Sequence, residues 1–289
     1  MKAKGQKILC FVLGLYLLTN AACQQWAPGT ASSENDAAPA SPTAIAAATE
    51  ALPFGNPSNA TTNPNNPDNY FVVHDSHVLS YNNSRGTLNW IAWRTTREDL
   101  GERLRRELFQ PDRSLPAGLR RIQYYDYSGS GYDRGHMVPS ADRFGNKPLN
   151  EQTFLMTNIV PQTGDLNQFP WNKLESYARA LARHGDMIYT IAGVYGDKEK
   201  LRGKVTVPTN CWKIIVVLRR GSTEITESTR IIAVDMPNIE GIADVRWENY
   251  KTTVRSIEEK TGLDLFSVLP KDLQDKVETS VDPNTLHSP

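Results

Sequence analysis

The sequence predicts an α+β fold, with a central, mainly antiparallel β-sheet flanked by helices. Three observations predict it. Runs of strand length, rich in Val, Ile and aromatic residues, recur between turn clusters at 71–73, 77–81, 88–94, 187–194, 204–218 and 229–235. Two stretches, 171–182 and 247–257, repeat their apolar residues at helical spacing instead. All of these segments lie beyond residue 69 of a 289-residue chain, which leaves enough sequence for one sizeable core.

The first 68 residues have a different composition. Lys2, Lys4 and Lys7 precede an apolar run from Ile8 to Leu18, and small residues follow to Cys23. A basic start, a short apolar centre and a small-residue end predict a secretory signal over 1–23, and hence a secreted or periplasmic protein. The run is too short to span a membrane comfortably, so no transmembrane span is expected in the mature chain. Cys23 after Ala21 and Ala22 leaves a lipid-anchored alternative, weakened by Asn20 where such sites usually carry Leu. From 24 to 68 the chain is Ala, Pro, Ser, Thr and Asn with almost no large apolar residue, and is read as a disordered linker. The folded domain is placed at 69–285.

Within that domain, Phe71–Val73 and His77–Tyr81 read as short strands about a turn, and the aromatic-rich run Leu88–Arg94 as a stronger one. A charged stretch from Arg97 to Arg106 follows. Ser140–Arg143 reads as a short helical turn, and the segment around Phe154, Leu155 and Met156 as buried. Pro170 is placed as the first residue of a helix carrying Trp171, Leu174, Ala178, Leu181 and Ala182 on one face, with Gly185 just past its end. Strands are expected at Met187–Val194, Lys204–Leu218 and Thr229–Asp235. Asp244 is taken as the cap of a helix whose Trp247, Tyr250, Val254 and Ile257 share a face and which Gly262 ends. A short helix from Pro270 closes the domain.

Formal net charge is zero, so composition alone does not point to a polyanionic partner; local clusters must carry any such case. Three cysteines, at 10, 23 and 211, make neither a disulfide framework nor a zinc ribbon, and Cys211 reads as a buried small hydrophobe. The sharpest chemical signal is Ser128-Gly-Ser-Gly-Tyr-Asp133-Arg134-Gly135-His136. Neutral imidazole is well matched to taking a proton from water near pH 7, and Gly135 permits a tight backbone beside it. A second polar cluster runs from Asn167 to Glu175. Asn167 reads as a cap, a turn residue or a ligand. Glu175 flanks an apolar helical stripe and therefore needs a partner, either Arg179 at i+4 or a metal. One amide oxygen with a nearby carboxylate suits Mg²⁺, which keeps several waters. Arginines at 97, 103, 105, 106, 120, 121, 134, 143 and 179 crowd the region, and guanidinium groups bind phosphate in bidentate fashion.

Taken together, Asn89–Trp93, Tyr127–His136, Pro139–Arg143, Thr157–Gln162 and Asn167–Glu175 resemble the DNA/RNA non-specific endonucleases of the ββα-metal (His-Me finger) class, closest to the secreted bacterial type. The resemblance covers roughly 67–281. It implies a ββα-metal motif with His136 as general base, Asn167 as the direct Mg²⁺ ligand and Glu175 holding the metal's waters. It further implies Arg105 near the scissile phosphate, Arg179 as a further phosphate-side arginine, Arg134 as the motif arginine and Asp133 as a structural member of the site. Mn²⁺ is a plausible substitute metal. DNA and RNA are the implied substrates, cut to 5′-phosphorylated products, and a protein inhibitor is a further partner class. A non-catalytic nucleic-acid-binding protein with the same fold, and a phosphodiesterase of small diesters, are the competing readings.

Overall fold

The computed structural model describes residues 50–102, 108–222 and 224–283. The expected signal at 1–23, the first part of the expected linker, and Arg105 with its neighbours Arg103 and Arg106 lie outside the described residues.

The centre is a seven-stranded sheet. Its strands are β1 (Tyr70–His74), β2 (His77–Asn82), β3 (Thr87–Thr95), β6 (Met187–Tyr195), β9 (Asn210–Leu218), β10 (Arg230–Pro237) and β11 (Lys251–Thr252), in the order β1-β2-β3-β6-β9-β10-β11. Every neighbouring pair is antiparallel. Two small sheets stand apart: β4 (Asp133–His136) with β5 (Ile159–Gln162), and β7 (Glu199–Leu201) with β8 (Val205–Val207).

Alternation along the strands divides the interior in two. Ile91 and Trp93 of β3 and Ile232, Val234 and Met236 of β10 face one core. Trp90 and Ala92 of β3 and Ile231 and Ala233 of β10 face the other. Because both faces are covered, the central strands read as near-continuous apolar runs rather than as a polar/apolar alternation. Residues 164–183, helical throughout, lie over the first face, where Leu166, Trp171, Leu174 and Ala182 are buried. Val254 and Ile257 of one C-terminal helix (Val254–Thr261) and Val277 of another (Lys271–Glu278) cover the second.

The sequence reading needs correcting at five places. First, the segment 50–68, expected to belong to a disordered linker, packs on the second face: Ala51, Phe54 and Ala60 are buried. The Phe54 ring meets Tyr189 edge-on at 5.4 Å and Phe266 at 5.9 Å, a burial worth about 2–3 kcal/mol. Asn56 closes its own turn, accepting from Ala60 N at 3.0 Å and donating to Ala60 O at 2.9 Å. One aromatic anchor and side-chain-to-backbone bonds thus order a segment whose average composition is polar.

Second, Lys204–Leu218 is not one strand, because Pro208 lies between β8 and β9 and cannot donate to a ladder. Third, Asp244 caps no helix: Trp247–Tyr250 is a 3₁₀ turn, and the following helix is capped by Thr253, whose side chain accepts from Ser256 N at 3.0 Å. Gly262 ends that helix as expected, at φ 72°. The remaining two corrections, at Pro170 and at Glu175, concern the site.

Candidate active site

Asp133–His136 forms β4, antiparallel to β5 with Asp133 opposite Gln162, Gly135 opposite Val160 and His136 opposite Ile159. Gly135 is required for reasons of space. A Cβ there would lie 1.9 Å from Gln162 Oε1 and 2.5 Å from its Cδ, and Gln162 is fully buried. Gly135→Ala is expected to cost about 1–3 kcal/mol by overpacking, read as a lower urea midpoint at unchanged slope.

The chain leaves β5 directly into helix. Thr163 is the N-cap; its Oγ1 accepts from Leu166 N at 3.3 Å and donates to Ile239 O at 2.9 Å. Buried Asn238 fixes the corner, donating to Pro161 O and Pro208 O and accepting from Thr163 N. A short α segment, α2 (Gly164–Leu166), follows α1 (Lys147–Gln152) in chain order, and a wide π turn (Asn167–Trp171) joins α2 to α3 (Asn172–Arg183). Pro170 therefore sits inside the helix rather than at its start. Lacking an N–H and crowding the carbonyl four residues back, it accounts for the local widening. At roughly 100° per residue, eight positions would rotate Glu175 about 80° from Asn167, whereas one residue absorbed in the π turn brings them to within about 20° of a common face.

The helix and β4 are tied together. Asp133 Oδ2 accepts from Asn167 Nδ2 and from Gln168 Nε2, both at 2.9 Å. Trp171 Nε1 reaches the carbonyl of His136 at 3.4 Å. The structure thus brings His136, Asp133 and Asn167 into one ββα unit. The bond to Asp133 also fixes the amide of Asn167, making Oδ1 its accepting end. The His136 ring packs against Phe109 and Phe154, with centroids 5.3 and 4.9 Å away. Arg134 lies over the Phe109 ring, with its guanidinium carbon 5.8 Å from the centroid, and donates from Nε and Nη2 to Tyr124 O at 3.0 and 2.7 Å.

Glu175 and Arg179 are both buried, and they do not form the i, i+4 ion pair with each other. Glu175 Oε1 accepts from Lys213 Nζ of β9 at 3.0 Å, and Arg179 Nη1 donates to Asp142 Oδ1 at 3.1 Å and Nη2 to Ser176 Oγ at 3.0 Å. Arg179 is therefore committed to Asp142 and Ser176. Asp142 Oδ2 also accepts from Trp93 Nε1 at 3.0 Å and Thr95 Oγ1 at 3.2 Å. The Lys213 ammonium stands 4.0 Å from the Trp171 ring centroid and 5.6 Å from that of Trp93. Burial pushes the Glu175 carboxyl up against the opposing pull of Lys213 and Arg179, and burial pushes Lys213 down against the pull of Glu175.

Lys213 is not among the expected site residues, and Asp142 enters the sequence analysis only within the run Pro139–Arg143, with no role. The signal for Lys213 was present: a lone cation within the apolar run Cys211-Trp-Lys-Ile-Ile-Val-Val-Leu218. Among the described residues, no group of three or more His, Cys, Asp or Glu is arranged to hold a metal ion. The groups that would serve a cation here, Asn167 Oδ1 and the Glu175 carboxylate, are oxygen donors too few to enclose an ion, which fits a hard cation that keeps several of its own waters.

Comparison with known proteins identifies the family to which the chain is similar. The model of the DNA/RNA non-specific endonuclease family matches residues 54–272. A nuclease of Nostoc sp. is 47% identical over 235 residues, 80% of this chain and 85% of that protein. Nuclease C1 of Cunninghamella echinulata is 31% identical over 235 residues, 75% of this chain and 88% of its own. Human mitochondrial endonuclease G is 32% identical over 205 residues, 65% and 67% of the two chains. A crystal structure of the EndoG/EndoGI complex shares the fold at TM-score 0.65 and 24% identity, covering 78% of this chain and 94% of that one. The chain belongs to the DNA/RNA non-specific endonuclease family.

Proposed function

We propose that this nuclease is an exported, Mg²⁺-dependent endonuclease that cuts both DNA and RNA, single- or double-stranded, to 5′-phosphorylated oligonucleotides. The observation that carries the reading is the bond between Asp133 and Asn167, which ties the histidine-bearing strand to an amide whose oxygen is turned into an accepting end. Asn167 Oδ1 would hold the ion directly and Glu175 through water, with Mn²⁺ able to substitute. When bound, the ion supplies charge neutralisation at the phosphate and at the departing 3′ oxygen. His136, held between Phe109 and Phe154, would take the proton from the attacking water. Tyr124 O occupies Nε and Nη2 of Arg134, which leaves Nη1 for a phosphate oxygen. Contacts to phosphate carry no base or sugar information, which accounts for cutting both DNA and RNA.

The basic leader at 1–23 supports export, with lipid attachment at Cys23 the lesser alternative. A protein inhibitor is a partner class suggested by the EndoG/EndoGI complex, in which EndoG is inhibited. The purified protein is expected to nick plasmid and degrade RNA in Mg²⁺, to stop in EDTA, and to leave ends that ligate without prior phosphorylation. Binding without cleavage in either Mg²⁺ or Mn²⁺ would sink this reading in favour of a non-catalytic binder. Faster turnover of a small diester than of plasmid would replace it with a phosphodiesterase.

A further inference from the structure

Tyr124 and Tyr125 are 52% and 47% exposed, yet the turn that carries them is firmly anchored. It is a 3₁₀ turn, Tyr124–Tyr127, closed by a capping box between Gln123 and Asp126. Its inward residues are fixed: Tyr127 Oη donates to Ile159 O of β5 at 3.1 Å, and Asp126 Oδ1 accepts from Lys204 Nζ at 2.9 Å. Its outer backbone is held by the two bonds from Arg134 to Tyr124 O. Arg134 and His136 are two residues apart on β4 and so project from the same face of that strand. The tyrosine turn is therefore anchored to the side of the β4–β5 unit on which the histidine acts. The two rings stand edge to face, centroids 5.5 Å apart at 74°, and each tyrosine remains about half exposed.

We propose that Tyr124 and Tyr125 form a stacking subsite for unpaired nucleobases of a single strand whose phosphate lies at His136. The inference rests on the nuclease reading above and adds a substrate preference to it. Tyrosine rings on a rigid support lose little conformational freedom on contact, and every base presents a π face, so the subsite is indifferent to sequence. In a duplex those faces are covered by neighbouring base pairs, so the subsite favours single-stranded DNA and RNA over duplex.

The test is steady-state cleavage in Mg²⁺ of three substrates: a single-stranded oligonucleotide, the same strand carrying abasic residues on both sides of the cut, and a linear duplex. For Tyr124→Ala/Tyr125→Ala, KM on the intact single strand is expected to rise about tenfold or more. On the abasic strand and the duplex it should rise by less than about twofold, because no base is there to stack. Tyr124→Phe/Tyr125→Phe keeps the rings and is expected to keep the wild-type KM, and melting curves of both variants check the fold. An equal rise on intact and abasic strands, or no rise on either, overturns the stacking subsite while leaving the nuclease in place. A wild type that cuts none of the three removes the nuclease reading and the subsite with it.

Discussion

His136→Ala is expected to leave a folded protein whose turnover on plasmid falls by roughly 10²–10⁴-fold, the usual contribution of a positioned general base. The fold should survive because the backbone of β4 does not depend on the ring. Its ladder to β5, the bonds from Asp133 to Asn167 and Gln168, and the Trp171 bond to the His136 carbonyl all remain. What is lost is the imidazole between Phe109 and Phe154. The cavity left behind has aromatic walls, so added free imidazole should restore part of the rate to the variant and none to the wild type. The acid limb of the rate–pH profile, where protonated His136 can no longer take a proton, should vanish with the side chain. A variant that cuts at the wild-type rate with an unchanged profile would remove His136 from the chemistry. A variant that fails to melt cooperatively would make its role structural instead.

The residues assigned to the site are legible because their spacing is local. Asp133, Arg134, Gly135 and His136 are consecutive, and one strand presents all four. Asn167 and Glu175 lie on one run of helical residues, which the apolar spacing of Trp171, Leu174 and Ala182 already marked. The sheet was legible for a similar reason, since β-branched and aromatic runs survive burial on both faces. Partners across the sheet were not legible. Helical periodicity offered Arg179 to Glu175 because both sit on one helix, whereas the ion pair that forms crosses to β9, 38 positions along the chain. Arg179 finds Asp142 at a comparable remove. Nothing local announces such pairs, apart from the oddity of a lysine among valines and isoleucines. The π turn was hidden for another reason. Pro170 suits the first turn of a helix and also an interior widening, and the tertiary ties of Asn167 and Gln168 to Asp133, which accompany the second, are not local. Composition misjudged 50–68 because a single phenylalanine can anchor a polar segment whose asparagine side chains bond its own backbone.

Lys213→Met is expected to cost about 3–5 kcal/mol of stability in metal-free buffer, seen as a large fall in urea midpoint. The reason is asymmetric. Methionine fills the lysine's volume between Trp171 and Trp93 without difficulty, but Glu175 is left as a buried carboxylate that has lost its hydrogen-bonded cation and keeps only the through-space pull of Arg179. Arg179 cannot replace it without abandoning Asp142, which holds β3 through Trp93 and Thr95. The lost ammonium–indole contact adds to the deficit by up to about 2 kcal/mol at a desolvated site. The double variant Lys213→Met/Glu175→Gln separates the two contributions. With no carboxylate to strand, it should recover most of the lost stability, since an apolar or neutral replacement of a buried ion pair is often close to neutral. Stability and activity should then part company, because the recovered double variant lacks the carboxylate assigned to the metal's waters and stays slow. A single variant within about 1 kcal/mol of wild type would mean that Glu175 finds water or another cation, and that Lys213 is not what holds the carboxylate in place.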